Sequence, residues 1–331
     1  MNTSSRRFPN RQMLSYFVVE YGLLVLLVGL MVVFASLNTR FLTPANFATI
    51  FSQNAALFIV AVGMTFAIIS RNIDLSPGSL IALGGTVLGL VFTQTESILL
   101  GIAACFLAVI LVQFLNGLLI ARLGINPLIV TLACWIWARG LSISLTGANS
   151  IPIRDPFIDF MNRPLFLGIT PPVILIVVVA VAGWFLLNHT RLGRYTYAIG
   201  SDERATVQAG VPTVRYKLML FVMFGILAGL GAIITVGRLG AAVPTAAYGL
   251  ELDAIVAVII GGNPFLGGDG KLRRTLIGAF FIAVLNNGLS NLGMLDSQIA
   301  VYKGLSIIVA LLFSSISLKL LKHRIHRADI G

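Results

Sequence analysis

Long unbroken apolar runs are the feature that most constrains this chain. Runs of about 16–22 residues, the length that a helix needs to cross the bilayer core, recur through most of the sequence with short polar segments between them. A membrane-spanning β-barrel would instead alternate polar and apolar residues within strands of ~10 residues. The pattern therefore predicts an all-α, polytopic helical protein that lies in a lipid bilayer.

The composition excludes a soluble domain. Of the 331 residues, 57% are hydrophobic and only 11% are charged, whereas soluble domains carry roughly 25% charged residues. The net charge of +11 would point to nucleic acid in a soluble protein, but Lys and Arg collect in the cytoplasmic loops of membrane proteins. We therefore predict a single membrane domain over residues 1–331 and no nucleic-acid partner.

The apolar runs predict about ten transmembrane helices. Two of them, 78–93 and 250–262, are short for a full crossing and adjoin loops that contain Gly and Pro, as broken or partly re-entrant helices do in transporters. The first run follows several arginines but is longer than the ~7–15 apolar residues of a signal peptide, so it is predicted to be an uncleaved helix. The ten predicted spans are 19–37, 47–70, 78–93, 98–120, 127–146, 171–188, 218–237, 250–262, 275–291 and 298–316.

The distribution of basic residues predicts the orientation of the chain, because cytoplasmic segments are enriched in Lys and Arg. With both termini inside, the inner segments hold Arg6, Arg7, Arg11, Arg71, Arg122, Arg191, Arg194, Arg204, Arg215, Lys217, Lys271, Arg273, Arg274, Lys319, Lys322, Arg324 and Arg327. The outer loops then hold only Arg40, Arg154, Arg163 and Arg238. The opposite orientation would reverse this bias. Both termini are therefore predicted to be cytoplasmic.

Motifs for catalysis and metal binding are missing from the sequence. A phosphate-binding P-loop requires G-x-x-x-x-G-K-[ST], but near Gly270 and Lys271 the positions of the first Gly and the hydroxyl residue hold Phe265 and Leu272. No group of His and Cys has metal-ligand spacing, and the serines lack a nearby base. We predict that the chain is not an enzyme and holds no catalytic residue, metal or cofactor of its own.

A polar loop between the second and third predicted spans contains Asp74, Ser76 and Ser79. An acid at membrane depth is costly unless it is paired or faces a polar pathway, so Asp74 is a candidate for a solute pathway or gate. The alternative is helix capping, because Asp or Ser followed by Pro77 is a strong signal for a helix start. The two interpretations are compatible, and both stay open.

Polar residues also mark the eighth and ninth predicted spans. Glu251 and Asp253 lie at the mouth of the eighth, where capping of the helix N-terminus is favoured over contact with a partner or a polar solute. Asn286 and Asn287 lie inside the ninth. Paired amides in a span usually form hydrogen bonds between helices, although they also suit a hydroxyl-rich solute.

The segment 189–217 is the only interior segment this rich in charge. It predicts a short amphipathic helix at about 202–209, begun by Ser201 and Asp202 and ended at Gly210. With glycine hinges at Gly200 and Gly210, such a helix would dock in a cleft of a cytoplasmic partner. An ordinary basic connecting loop is the alternative.

An ordered set of short motifs resembles the membrane permease subunit of ATP-binding-cassette importers, in the branch that handles ribose, xylose and related sugars. The resemblance covers about residues 45–315. The motifs are Ala61-Val62-Gly63-Met64-Thr65, Ile73-Asp74-Leu75-Ser76, Gly78-Ser79, Pro127-Leu128-Ile129-Val130-Thr131-Leu132, Arg139-Gly140, Gly193-Arg194, Tyr197-Ala198-Ile199-Gly200, Ala209-Gly210-Val211, Glu251-Leu252-Asp253-Ala254-Ile255, Gly261-Gly262, Gly267-Gly268, Gly270 and Asn287-Gly288-Leu289.

The resemblance implies a complex in the bacterial plasma (inner) membrane. Two permeases form the pore, two separate ATPase subunits use ATP and Mg²⁺, and an external (periplasmic or extracellular) solute-binding protein delivers a small sugar, most simply a monosaccharide. The segment that matches 197–211 corresponds to the loop that engages the ATPase. The residues predicted for coupling are Gly200, Asp202, Glu203, Arg204, Ala205, Gly210, Lys271 and Arg273, and those predicted for the substrate pathway are Asp74, Ser76, Ser79, Thr131, Asn286 and Asn287.

The chain departs from the family pattern at several points. Arg71 and Asn72 stand where the family usually has Gly-Gly, which would alter gating or mark the chain as one half of a heterodimer. Pro77 replaces a small aliphatic residue. The turn 201–204 is more charged than is usual, which would tune the choice of ATPase. The turn 271–274 is also more basic than is usual.

Three alternatives stay open at this stage. An ion-coupled secondary transporter would need functional acids in mid-span, whereas the acids here cluster at span ends and loops. A membrane scaffold without transport activity would show no solute-dependent ATPase stimulation. Within the importer family, branched-chain amino acids and a signalling furanose are rival cargoes, and a homodimer and a heterodimer of permeases are both compatible with the sequence.

Overall fold

The computed structural model describes residues 10–165, 168–295, 297–306 and 308. The basic residues at 6–7 and 319–327, which are predicted to lie in the cytoplasm, are outside these ranges. The helices are α1 (Asn10–Leu37), α2 (Pro44–Gln53), α3 (Ala55–Ile69), α4 (Pro77–Thr95), α5 (Ile98–Ala121), α6 (Pro127–Thr146), α7 (Pro156–Asn162), α8 (Pro171–His189), α9 (Arg191–Ser201), α10 (Glu203–Gln208), α11 (Thr213–Leu239), α12 (Leu250–Ile260) and α13 (Leu272–Asn291). Residues 297–306 are also helical.

The predicted all-α class is confirmed. The strands of the described chain, β1 (Ile151–Pro152) and β2 (Ala241–Ala242), are only two residues long. They pair antiparallel, with Ile151 opposite Ala242, and so tie the segment after α6 to the segment after α11.

Five of the described helices are long and apolar enough to cross a membrane, namely α4, α5, α6, α8 and α11. Helices α2 and α3 make a sixth candidate, although a bend of 55° separates them at Asn54. The prediction that the third span is short is wrong, because α4 continues through its polar end to Thr95. There the hydroxyls of Thr93 and Thr95 donate to helix carbonyls one turn back. The eighth predicted span is short as expected, with 11 residues in α12.

Close contacts divide the chain into two units, 1–42 with 284–331, and 43–283. In the first unit the ring of Phe34 packs against Gly288, where a Cβ atom would overlap it. The Phe34 ring also lies 5.3 Å from that of Phe41, measured between centroids. Helix α13 begins in the second unit and ends in the first. All the residues that follow belong to the second unit unless stated otherwise.

Helix α11 lies at the centre of the 43–283 unit and packs against α3, α4 and α5. Small residues on α11 permit this close approach: a Cβ atom on Gly225 would lie 2.8 Å from the Cα atom of Ile110, and one on Gly229 would lie 2.7 Å from the ring of Phe106. Small residues at helix interfaces are typical of membrane proteins, since lipid provides no hydrophobic drive for association. Every residue of α3 is buried, which places this helix inside the bundle.

Candidate functional site

A non-helical break interrupts the buried core between α3 and α4. Helix α3 ends at Ile69, α4 begins at Pro77, and Ser70, Asn72 and Asp74 between them are buried. Arg71 adopts a left-handed conformation, with φ of 58°. That conformation is unfavourable for residues with a Cβ atom, so glycine would suit this position better than arginine.

The carboxylate of Asp74 is fully engaged. Its Oδ1 atom accepts hydrogen bonds from the backbone N–H of Ser76 at 2.8 Å and from its hydroxyl at 2.6 Å. Its Oδ2 atom accepts from the Nε2 atom of Gln113 on α5, and Asn116 donates to Gln113 Oε1 at 3.2 Å. We call these four residues the Asp74 cluster. Asp74 therefore sets the turn that leads into α4 and also joins that turn to α5.

A stripe of polar and aromatic side chains on α6 faces this break and α4. Thr131, Trp135, Arg139 and Ser142 are spaced at three to four residues, which places them on one face of a helix. Thr131 Oγ1 lies 3.5 Å from the carbonyl oxygen of Ile73. The Ser142 hydroxyl is hydrogen-bonded to that of Thr86 on α4 at 2.7 Å. The stripe therefore continues the line of polar groups that begins at Asp74.

A second polar cluster forms where α12 meets this stripe. Trp135 Nε1 donates to Glu251 Oε1 at 2.9 Å, and Arg139 Nη1 donates to the carbonyl oxygens of Pro244 and Ala246 at 3.0 and 2.7 Å. The carboxylate of Glu251 packs against Gly78 at the start of α4, where a Cβ atom would overlap it. We call Trp135, Arg139, Tyr248 and Glu251 the Glu251 cluster.

The prediction that Glu251 and Asp253 cap α12 is correct about where the two residues lie, but the described part of the chain shows no side-chain cap at the start of this helix. Both lie in the first turn of α12, but the residue that begins this helix is Gly249, with φ of 76°. The Glu251 carboxylate instead reaches across to α6. Trp135 was not selected by sequence reasoning, and Arg139 was noted only as part of a motif. A charged residue inside an apolar run, four residues after a Trp, was the signal that pointed to them.

The predicted helix at 202–209 is confirmed as α10. Asp202 caps it by accepting a hydrogen bond from the Ala205 N–H at 3.0 Å, and Gly210, with φ of 81°, follows its last turn. Arg204 and Ala205 are exposed, and so is Val207, at 52%. The outer face of α10 is therefore free of intramolecular cover within the described chain.

The predicted hinge at Gly200 is wrong. Thr190 caps a further helix, α9, by accepting from the Gly193 N–H at 3.4 Å, and Gly200 lies inside its last turn. It is buried, and a Cβ atom there would overlap the carbonyl oxygen of Ile69. Gly200 thus permits α9 to touch the end of α3. The sequence did not predict this contact, because Gly200 resembles a hinge in the same way as Gly210.

The end of α3 is held between α9 and the 262–271 loop. The Gly268 N–H donates to the Ile69 carbonyl at 2.9 Å, and Arg71 Nε donates to the Leu266 carbonyl at 2.6 Å. The Tyr197 hydroxyl on α9 donates to the Gly270 carbonyl at 2.7 Å. Burial, helped by the nearby negative charge of Asp269, raises the pKa of Tyr197, so this hydroxyl stays a donor at neutral pH.

Helix α10 is connected to α11 by an ion pair between Glu203 and Lys217, with 2.6 Å between Glu203 Oε1 and Lys217 Nζ. The pair borders a cavity of about 340 Å³, together with the 70–72 turn and the loop between α5 and α6. Lys271 and Arg273, at the start of α13, are exposed. The predicted coupling residues therefore lie on elements that meet at the end of α3.

The predicted pathway residues divide into two sets. Asp74 and Ser76 are in direct contact, and Ser79 and Thr131 are buried on the helices beside them. Asn286 and Asn287 lie on α13 in the other unit, where Asn291 Nδ2 donates to Asn287 Oδ1 at 3.0 Å.

A bundle of apolar helices with a polar break in its core is the architecture of a membrane transport protein. Residues 46–316 match the family described as "Branched-chain amino acid transport system / permease component". The chain belongs to this family. It is therefore a multi-pass membrane permease component and not an enzyme.

The chain is similar along most of its length to permeases for sugars. It is 36% identical to the ribose import permease protein RbsC of Escherichia coli (strain K12), over 93% of this chain and 96% of that protein. It is 39% identical to RbsC of Bacillus subtilis (strain 168), over 86% and 88% of the two chains. It is 33% identical to the D-allose transport system permease protein AlsC of E. coli K12, over 90% and 91%. No solved structure matches it significantly.

Proposed function

We propose that this chain is the membrane permease subunit of an ATP-binding-cassette importer for a monosaccharide. The ribose and allose permeases that it resembles along most of their length support the solute class. In this proposal the whole chain, 1–331, forms one domain of about ten spans in the bacterial inner membrane, with both termini in the cytoplasm, as the basic residues predict.

The proposal includes three partners. A separate ATPase subunit binds ATP and Mg²⁺ on the cytoplasmic side, and an external solute-binding protein delivers the sugar. A second permease, either another copy or a paralogue, completes the pore. The chain itself holds no cofactor in this scheme.

The observation that carries the proposal is the contact between the α9–α10 segment and the end of α3. An ATPase docked on α10 would move α9, because the Asp202 cap joins the two helices without an intervening loop. Gly200 of α9 bears directly on the Ile69 carbonyl, and Ile69 precedes the break that contains Asp74. Coupling between distant sites is carried by packed elements with alternative arrangements, and these contacts supply a continuous connection from the docking face to the pathway.

In the proposed pathway, Asp74, Ser76, Ser79 and Thr131 line the route beside α4 and α6. Asn286 and Asn287 are also assigned to it, on the strength of their amide groups. For coupling, the exposed basic residues Lys271 and Arg273 assist α10, since the 262–271 loop is held to the same end of α3.

Docking is tested at Val207, whose exposed side chain lies on the outer face of α10. Asp202 and Glu203 are poorer targets, because one caps α10 and the other pairs with Lys217. We expect Val207→Arg to abolish co-purification of the ATPase subunit and solute-stimulated ATP hydrolysis in the reconstituted complex, since a large charge would enter a packed interface. Leu99→Arg, at the end of α5 opposite the α5–α6 loop and also exposed (73%), is the matched control and should leave both unchanged. Normal assembly and stimulated hydrolysis in Val207→Arg would refute the docking assignment.

An ion-coupled secondary transporter is the second candidate, because the structure buries two acids, Asp74 and Glu251, inside the bundle. Such acids often mark ion pathways in transporters. Solute uptake by the purified chain in vesicles that lack the ATPase subunit would favour this candidate and exclude the importer.

A further inference from the structure

The Glu251 cluster contains two opposite charges that do not satisfy each other. Glu251 is 3% exposed and Arg139 is 8% exposed, yet within the described chain no direct salt bridge joins them. Glu251 Oε2 and the Nε and Nη2 atoms of Arg139 have no hydrogen-bond partner among the described residues. Buried polar atoms in folded proteins are nearly always paired, so such exceptions require an explanation. The cluster offers one acceptor and two donors to a bound molecule.

Aromatic rings border these charged groups. The ring centroids of Trp135 and Tyr248 are 6.2 Å apart, and the guanidinium carbon of Arg139 lies 5.8 Å from the centre of the Tyr248 ring. The hydrogen bond from Trp135 to Glu251 Oε1 holds one carboxylate oxygen in place, while Oε2 packs against Gly78 without a hydrogen-bond partner among the described residues. An apolar aromatic wall with a few positioned polar groups is the usual composition of a small-molecule site.

Ser79, one residue after Gly78, carries a further buried hydroxyl without a hydrogen-bond partner among the described residues. Consecutive residues of a helix do not face the same way, so this hydroxyl is not counted in the Glu251 cluster.

We propose that the Glu251 cluster is a contact site for the translocated solute, and that this solute is a neutral ring rich in hydroxyl groups. This inference rests on the proposed importer function and names the residues that recognise its sugar. Neighbouring hydroxyls of a sugar would donate to Glu251 Oε2 and accept from Arg139, and the aromatic rings would cover the C–H face of the sugar. Because one residue is anionic and the other cationic, the site favours neither an anion nor a cation.

A zwitterionic amino acid is the rival solute, since its ammonium group would pair with Glu251 and its carboxylate with Arg139. The aromatic wall favours the sugar. The two solutes are separated by direct uptake, with radiolabelled ribose or radiolabelled leucine presented to the same complex.

The test is uptake of radiolabelled ribose by the complete complex, permease with ATPase and binding protein, in proteoliposomes. Glu251→Gln removes the charge, and Trp135→Phe keeps the ring but removes the indole donor. We expect about a tenfold or larger loss of uptake in Glu251→Gln, since hydrogen bonds to charged groups are the stronger ones, and a smaller loss in Trp135→Phe. Co-purification of the ATPase subunit reports that each variant is folded.

Matched controls lie on neighbouring elements. Trp137→Phe makes the same substitution two positions farther along α6, at a tryptophan that is 44% exposed. Glu96→Gln makes the same substitution at an exposed acid after the end of α4. Both should transport ribose as the unmodified complex does.

The outcomes separate the two proposals. If the unmodified complex takes up neither labelled ribose nor labelled D-allose, the proposed function fails and this inference fails with it. If the unmodified complex transports ribose and both Glu251→Gln and Trp135→Phe match it, only the contact site is refuted. Uptake of labelled leucine and not of labelled ribose would overturn the assignment to a hydroxyl-rich solute.

Discussion

The Asp74 cluster and the Glu251 cluster each bury an acid near the start of a helix, but their carboxylates are in different states. Both oxygens of Asp74 accept hydrogen bonds, from Ser76 and from Gln113. One oxygen of Glu251 accepts from Trp135, and the other has no partner in the described chain. A satisfied buried acid stabilises the fold that surrounds it, whereas an incompletely satisfied one is costly to bury and requires an explanation.

This difference assigns the two clusters different tasks within one pathway. The Asp74 cluster holds the turn after α3, on which α9 and the 262–271 loop converge, and so it is placed to respond to coupling. The Glu251 cluster lies farther along α6, and its free atoms suit recognition. The comparison predicts that stability depends mainly on Asp74 and transport mainly on Glu251.

The largest effect on stability is expected for Asp74→Ala. It leaves the Ser76 N–H and hydroxyl and the Gln113 amide without an acceptor in a buried site, which costs about 3 kcal/mol or more. Glu251→Ala, which removes the acceptor of a single donor, should cost less. Heating in detergent with a thiol-reactive fluorophore measures this through Cys105, which is free and buried. Cys134 is replaced by Ala in every variant, because it lies against the Asp74 cluster. Equal losses of stability in the two variants would contradict the distinction between the two clusters.

An intermediate effect is expected for Gly78→Ala, which adds a methyl group where the Glu251 carboxylate lies. Overpacking of this kind costs about 1–3 kcal/mol, and displacement of the carboxylate should also reduce solute uptake. Gly140→Ala on α6 is the control, because no atom lies within 4 Å of its added Cβ. Alanine also favours helices over glycine by roughly 1 kcal/mol, so Gly140→Ala should be at least as stable as the parent chain. Undiminished uptake in Gly78→Ala would show that the position of Glu251 is not critical.

The smallest effect on stability is expected at Arg71, which lies in the same break between α3 and α4 as Asp74. Arg71→Gly and Arg71→Ala both lose the hydrogen bond to the Leu266 carbonyl, so the difference between them isolates the backbone. With φ of 58° at this position, glycine should be more stable than alanine by about 1 kcal/mol. The same thiol-labelling experiment reports the difference in midpoint temperature. An alanine variant as stable as the glycine variant would exclude backbone strain at this turn.

Sequence reasoning succeeded where the cause is local. The Asp202 cap and the Gly210 stop predicted α10, because a cap acts within one turn of its helix. It failed at Gly200, where a glycine that resembles a hinge instead permits contact with Ile69, more than a hundred residues earlier in the chain. It also underestimated α4, because the helix continues past its apolar run to Thr95, where the polar side chains of Thr93 and Thr95 bond to its own carbonyls.

The candidate site was predicted in part. Asp74, Ser76, Ser79 and Thr131 were selected as polar groups at membrane depth, and they lie on adjoining elements. The pairing of Trp135 with Glu251 was not foreseen, since capping was an adequate local explanation for Glu251. A side chain's partner across the bundle leaves no trace in the spacing of residues along one helix.

The sequence by itself determined that this protein is a helical membrane protein, because long apolar runs in lipid must satisfy every backbone hydrogen bond within their own helix. It also determined the short helix of the charged segment, through its cap and its stop. Only the tertiary structure decided which buried acid is satisfied and which is not. That outcome depends on whether donors from α5 or α6 reach each carboxylate, and the packing of separate helices alone controls it.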